Sequence, residues 1–461
     1  MKRRLFGAVG GMLAAILIWA WPGVGTLEPI GQRVLAMIVL GVLFWATEVF
    51  AAGVTAILVL GLLMALGVPG SVALSGFAAS GFWILVAVLF FGYAMDKTGL
   101  ARRIAYRILL LFPPTYAGVL FAFLLIGFIL TLGIPSMTVR TAILMPIAWA
   151  LVQALDLPLP GRGSALIILS TFEMAVLPGC ALLTGALWGP YLAGLFANQG
   201  IPIAWLDYAA AMVVPTLVWC VLILVANMLV LKPDGGLGVT HAVVGGELAR
   251  LGKMSRAEGL TAMIVAMSIA AWASQPWHTI PAEAIGMLAL TALFAAGVLQ
   301  APEIGTGIPW NLTLFVGGML SLGTVITTYK ISNWLSGYIV PMLAPLSGNP
   351  WLLVAGLGLA VMAMRFVDPV GFITIATFFL ALVGVASGWG LTPILLGGVI
   401  LLPLHVFWFP YQNIWIVMTE GITKKQAYVD GDRFRLATVY LAVTIVALWA
   451  AVGYWRATGM M

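Results

Sequence analysis

Apolar residues fill the chain in long runs, and polar positions appear as short interruptions between them. Runs near 5–21, 31–47, 49–67, 81–95, 164–194, 209–231, 258–276, 284–299, 312–329, 392–418 and 437–455 have lengths suited to membrane helices, which need ~20 residues each. Two further stretches, 114–155 and 345–386, are denser and carry a polar break near the middle. Lys2, Arg3 and Arg4 ahead of the first run imitate a secretory signal. That run is long for a signal core and lacks a convincing cleavage site, so it reads as the first span. The pattern predicts an all-α polytopic membrane protein.

Composition narrows the functional classes. Of 461 residues, 63% are hydrophobic and 8% charged, whereas a soluble domain carries about 25% charged residues. A water-soluble enzyme, a nucleic-acid binder and a disordered chain are excluded. The lipid bilayer is the expected environment, and nucleic acid is not an expected partner. No Gly-rich Lys-Ser/Thr phosphate loop is present, which argues against an ATP-driven pump. No nucleophile–base pair or metal-ligand set lies in any span, which argues against a membrane enzyme. Cys180 and Cys220 sit inside apolar runs, so no disulfide framework is expected.

The basic residues orient the chain. With the N-terminus cytoplasmic and both dense stretches entering and leaving on one side, 16 Lys and Arg fall inside and 3 outside. Arg140 and Arg365 remain at membrane depth. An odd number of crossings in either stretch would put the downstream charges on the wrong face. The expectation is eleven spans plus two re-entrant hairpins in the cell's inner membrane, with the C-terminus outside.

The halves share a grammar. Gly92-Tyr-Ala-Met-Asp-Lys-Thr-Gly-Leu-Ala-Arg-Arg-Ile reads as a helix end followed by an amphipathic surface helix, and Gly323-Thr-Val-Ile-Thr-Thr-Tyr-Lys-Ile-Ser-Asn-Trp-Leu repeats it in more neutral residues. Gly92 to Ser136 spans 44 residues and Gly323 to Asp368 spans 45. With one hairpin opening inside and the other outside, this is an inverted repeat, a recurring architecture of secondary transporters. Repeat 1 covers 30–231 and repeat 2 covers 258–457, joined by a plain cytoplasmic linker at 232–257.

Broken backbone survives in hydrocarbon only where protein or a water-filled cavity satisfies it. Four breaks stand out: Gly133 to Thr141, closing with Pro146; Pro178-Gly179 through Thr184-Gly185; Arg365 through Asp368-Pro369 to Gly371; and Pro403 through Gln412-Asn413. Taken singly, each Pro/Gly pair reads as a kink. Four in repeat register read as one site near the midplane. Half-helix N-termini there suit an anionic substrate, and carbonyl ends suit Na⁺. Arg140, Glu173, Arg365 and Asp368 are the ionisable residues placed at that depth, where an Arg costs at least ~2.5–3.5 kcal/mol and should be paired or face the cavity. Glu173 reads more readily as structural than as a proton relay. His405, Trp188, Trp408 and Trp415 read as packing.

At this point the chain resembles a known family. Trp45-Ala-Thr-Glu48, Lys97-Thr-Gly-Leu-Ala-Arg-Arg-Ile-Ala105, Ser136-Met-Thr138 ahead of Pro146, and Pro410-Tyr-Gln-Asn-Ile414 resemble motifs of the divalent anion/sodium symporters, the carriers of dicarboxylates, citrate and sulfate. The resemblance implies secondary active transport of a small anion (di- or tricarboxylate, sulfate or sulfonate) by exchange or Na⁺-coupled symport. It implies a homodimer whose scaffold part (1–112 and 258–343) holds the membrane and dimer contacts. The transport part (113–231 and 345–461) would slide as an elevator. No cofactor is implied beyond Na⁺ as a possible coupling ion, near Ser136, Thr138 and Asp368.

Substrate contacts are expected from Ser136, Met137, Thr138, Arg140, Thr184, Gly185, Arg365, Asp368, Pro369, Gln412 and Asn413. Met137 replaces the family's tip Asn, and Val367-Asp368-Pro369 replaces its second Ser-Asn-Thr. Pro-Ser-Met-Thr-Val-Arg140 also resembles a sequence of the family's plastid and citrate exchangers. A fixed guanidinium there could neutralise a carboxylate as a bound cation does, with Arg365 pairing Asp368. Two alternatives stay open: a cation-linked antiporter or arsenite-type exporter using Asp368 and Glu173, and a non-transporting membrane sensor.

Overall fold

The computed structural model describes residues 2–21, 27–233, 237, 240–368 and 370–461, and every regular element among them is a helix. Helix α1 (Lys2–Ala20) packs along α2 (Pro29–Thr47). The first half continues with α3 (Ala52–Ala65), α4 (Ser80–Thr98), α5 (Leu100–Leu109), α6 (Tyr116–Gly133), α7 (Met137–Ala154), α8 (Arg162–Val176), α9 (Trp188–Asn198) and α10 (Trp205–Leu231). After α11 (Thr240–Arg250) comes the second half. It comprises α12 (Arg256–Ala273), α13 (Ala282–Ala295), α14 (Trp310–Thr328), α15 (Ile331–Leu343), α16 (Pro350–Met364), α17 (Phe372–Ala386), α18 (Pro393–Leu401), α19 (Ile414–Ile422) and α20 (Asp430–Ala457). Nine helices among the described residues are long and apolar enough to cross a membrane.

The order of α2–α10 recurs in α12–α20. In both halves a long helix ends on a left-handed residue, Gly99 (φ 82°) or Lys330 (φ 59°), and a short helix turns away from it. Packing follows the same exchange. Helix α3 lies on α14 while α13 lies on α4; α7 lies on α19 while α17 lies on α9; and α10 packs on α20, its own counterpart.

Local chemistry decides where helices start. In an apolar medium the orphan N–H groups of a first turn need acceptors. Thr115 caps α6 through Gly118 N–H at 3.0 Å, Asn349 caps α16 through Trp351 N–H at 3.0 Å, and Asn413 caps α19 through Trp415 N–H at 3.1 Å.

One expectation needs correction. Pro146 does not close the first break: α7 runs through it to Ala154, because a proline N–H deficit inside a membrane helix is made good by its neighbours. The 232–257 segment contains α11, which packs on α5 and α7. Arg103 of the amphipathic α5 turns inward to pair with Glu258 at 2.7 Å and to reach the Gly252 carbonyl at 2.8 Å, fastening α5 to the start of α12. A second tie joins the halves at Lys97–Glu303 (2.7 Å). Burial works against the Glu303 carboxylate, but Lys97, the Gln300 backbone N–H and the Tyr93 hydroxyl outweigh it and hold its carboxyl below the usual range.

Candidate functional site

Residues Ile134-Pro135-Ser136 join α6 to α7, and residues Arg365 to Gly371 join α16 to α17. Ser136 caps α7, its hydroxyl accepting from Val139 N–H at 3.3 Å. Met137 is fully buried, while Thr138 is exposed and its hydroxyl accepts from the Trp415 indole at 3.1 Å. Pro369 lies outside the described residues.

Both membrane-depth arginines are buried, and their bonds run to main-chain carbonyls. Arg140 donates through Nε to Ala175 O at 2.8 Å and through Nη1 to Gly185 O at 2.8 Å, Ile134 O at 3.2 Å and the Thr131 hydroxyl. Arg365 donates to Leu404 O and Gln412 O at 2.7 Å each and to the Asp368 main-chain carbonyl. Gly185 and Gln412 each lie three residues before a tryptophan, Trp188 or Trp415, in the first turn of the next helix. The two guanidiniums therefore reach equivalent carbonyls, Arg140 from the arm after its tip and Arg365 from the arm before. Of these partners Ala175 and Leu404 lie at the ends of broken helices, where the negative pole of the dipole lies, so a fixed positive charge is favourable there. Of the two expectations for Arg140, paired or facing the cavity, the fold shows the guanidinium fully buried among the carbonyls it bonds.

The Asp368 carboxylate accepts from Gly371 N–H (2.9 Å), Val370 N–H (3.3 Å), Thr374 N–H (2.8 Å) and the Thr374 hydroxyl (2.8 Å). Arg365 reaches the Asp368 carbonyl, while the carboxylate caps the first turn of α17. A helix start with free N–H groups attracts a carboxylate, and the nearest one is supplied by the chain itself.

The broken helices meet behind the tips. Cys180 and His405 each lie two residues after a proline (Pro178, Pro403), and Cys180 Sγ is 3.3 Å from His405 Nε2. Cys180 and Cys220 are both free thiols. Thr184 accepts from the Trp205 indole at 3.0 Å and is buried. Gly185 is there for close approach: a Cβ would lie 2.6 Å from Thr131 Cγ2 and 2.7 Å from Gly179 O. Gln412 accepts from Phe409 N–H at 3.0 Å, and Asn413 from Trp415 N–H. These bonds fix both amide orientations and leave two buried donors, Gln412 Nε2 and Asn413 Nδ2, without partners.

Trp188 and Trp415 cross between repeats. The Trp188 indole donates to Val370 O at 3.2 Å in the second tip, as Trp415 does to Thr138 in the first, and their rings meet edge-on at 5.6 Å. Sequence reading treated both as packing and missed Thr131 and Thr374. The available signals were a tryptophan in the first turn of the helix after each long break and lone hydroxyls one turn from each tip. Glu173 accepts from Asn227 at 2.5 Å, in keeping with a structural role, and its other oxygen has no partner. Among the described residues no group of three or more His, Cys, Asp or Glu could hold a metal ion.

Over residues 3–461 the chain matches the family described as sodium:sulfate symporter transmembrane region. It is 24% identical over 468 residues to dicarboxylate transporter 1, chloroplastic, of Spinacia oleracea, covering 97% of this chain and 80% of that one. It is also 24% identical over 300 residues to the citrate/succinate antiporter of Escherichia coli K12, covering 61% and 59%. The crystal structure of the Alcanivorax borkumensis YdaH transporter superposes with a TM-score of 0.56 at 12% identity, covering 99% of this chain and 98% of that one.

Proposed function

Since the chain belongs to the sodium:sulfate symporter family, and so is a membrane transporter and not an enzyme, we propose that it moves small anions by Na⁺-independent exchange. The observation that carries this reading is the placement of Arg140 and Arg365. Helix-end carbonyls at a midplane break are where a transporter of this architecture can hold Na⁺. Here two guanidiniums already bond such carbonyls, those of Ala175 and Leu404. A fixed charge cannot be released down a gradient, so the site has no cation to couple and returns only when reloaded with anion. The relatives named above, a dicarboxylate transporter and a citrate/succinate antiporter, agree with anionic cargo.

The remaining architecture belongs to the same proposal. Eleven spans and two re-entrant hairpins form two inverted repeats, with the N-terminus cytoplasmic and the C-terminus outside in the inner membrane. The paired exchange of α3/α14 with α13/α4 supports the repeat. The scaffold (1–112 and 258–343) holds a homodimer, and the tips and breaks travel together in the transport part. Counterflow in proteoliposomes tests the function: labelled anion enters only vesicles preloaded with unlabelled anion, at equal rates in Na⁺ and choline. Strong Na⁺ stimulation refutes exchange, and absence of counterflow with any anion favours the sensor.

A further inference from the structure

Resting on that reading, we infer that the site takes a monoanion with an apolar body, a monocarboxylate or monosulfonate, because Asp368 occupies the second tip as a built-in carboxylate. Asp368 already occupies part of the N-terminus of α17: the N–H groups of Val370, Gly371 and Thr374 and the Thr374 hydroxyl donate to its two oxygens. A second anionic group arriving there would find those donors taken and a negative charge in place.

The other tip is open in the complementary sense. The N-termini of α7 and α19 are brought together by the Trp415–Thr138 bond. Beside them lie Gln412 Nε2 and Asn413 Nδ2, buried donors without partners on residues no more than 1% exposed. The Thr138 hydroxyl, already accepting from Trp415, keeps its proton to donate. All three can donate, which suits one carboxylate or sulfonate.

Charge balance agrees. Arg140 and Arg365 bring two positive charges to the tips and Asp368 one negative, so one bound monoanion leaves the loaded site neutral and able to cross hydrocarbon. Around this donor set the exposed side chains are apolar: Phe366, Val370, Phe409, Tyr411 and Ile414. Phe409 and Tyr411 stack at 5.9 Å, and the Tyr411 hydroxyl is tied to Phe366 O at 3.3 Å. That shelf offers contact to a ring or alkyl group and no donor to a second carboxylate.

The test is counterflow of benzoate and benzenesulfonate against succinate and sulfate in proteoliposomes, for the unmodified chain and for Asp368→Asn. The unmodified chain is expected to favour the monoanions by about tenfold or more. Asp368→Asn, which leaves two positive charges at the tips, is expected to raise the succinate-to-benzoate ratio by roughly tenfold or more. Asn413→Asp keeps the α19 cap but puts a charge among the open donors, and should abolish exchange of every anion. Should Asp368→Asn fail to fold, the ranking in the unmodified chain decides alone. Preference for succinate or sulfate in the unmodified chain overturns the inference and leaves anion exchange standing. A succinate-to-benzoate ratio unmoved in folded Asp368→Asn overturns it likewise. Failure to exchange any of the four anions overturns both.

Discussion

Arg140→Ala exposes what the guanidinium does. The substitution removes a fully buried group and deprives the carbonyls of Ala175, Gly185 and Ile134 of donors at 2.8, 2.8 and 3.2 Å. A buried polar group left without a partner costs about 1–3 kcal/mol, so three cost roughly 3–9 kcal/mol. Set against a total stability of roughly 5–15 kcal/mol, that loss threatens the fold, and transport with it. The emptied space is lined by carbonyl oxygens and the Thr131 hydroxyl, a hard-oxygen set of the kind that holds Na⁺. Purified Arg140→Ala should therefore unfold at a markedly lower temperature than the unmodified protein in choline or K⁺ buffer, and recover part of the difference as Na⁺ is added. The unmodified protein should show no Na⁺-specific shift. Thermal unfolding in detergent, followed by intrinsic tryptophan fluorescence across a Na⁺ titration at constant ionic strength, measures both. A variant as stable as the parent in choline would mean the carbonyls do not depend on Arg140. A loss equal in Na⁺ and choline would mean that they do not form a cation site.

Other expectations follow from single contacts. Gly185→Ala should prevent accumulation of folded protein, since its Cβ would sit 2.7 Å from Gly179 O, whereas Gly61→Ala, with open space around its Cβ, should fold normally and gain helix propensity; yield of monodisperse protein after gel filtration distinguishes them. Trp415→Phe removes the indole N–H that holds Thr138 and should cost about 0.5–1.5 kcal/mol while slowing counterflow, measured by unfolding and initial rates. Arg103→Gln and Glu258→Gln each strand one member of a buried pair 2.7 Å apart and should cost about 3–5 kcal/mol, the double change costing less than the sum; a double-mutant cycle on stability checks this. Single cysteines at Pro113 and Asp156, both exposed at the ends of the α6–α7 stretch, should label from the cytoplasmic side only; labelling from opposite faces rejects the hairpin.

Much of the architecture is legible in the chain, because a bilayer forces each backbone N–H to be bonded within its own helix, so apolar run length reports helix length directly. The run at 164–194 and its interruption at Pro178-Gly179 reappear as α8, a single turn at Leu177–Ala181 and α9. The second-half counterpart breaks at Pro403 in the same way. Arg140 and Arg365 also stand out in the chain, since nothing else in their runs is charged nearby apart from Asp368, and both are buried. Their partners do not stand out. Carbonyls carry no residue signature, and the ones that matter lie 35 to 47 positions away in chain order, in Ala175, Gly185, Leu404 and Gln412. Asp368 next to Arg365 reads as an ion pair from spacing; what spacing does not show is that its carboxylate lies on the α17 first turn, where Gly371 at φ 93° bends the backbone so that nearby N–H groups converge on it. The reach of Trp415 to Thr138 spans 277 positions. Spans and breaks are local consequences of the solvent and of each residue's own backbone, so sequence alone determines them; which donor meets which acceptor at the site is set by how distant breaks pack together, and only the tertiary structure decides it.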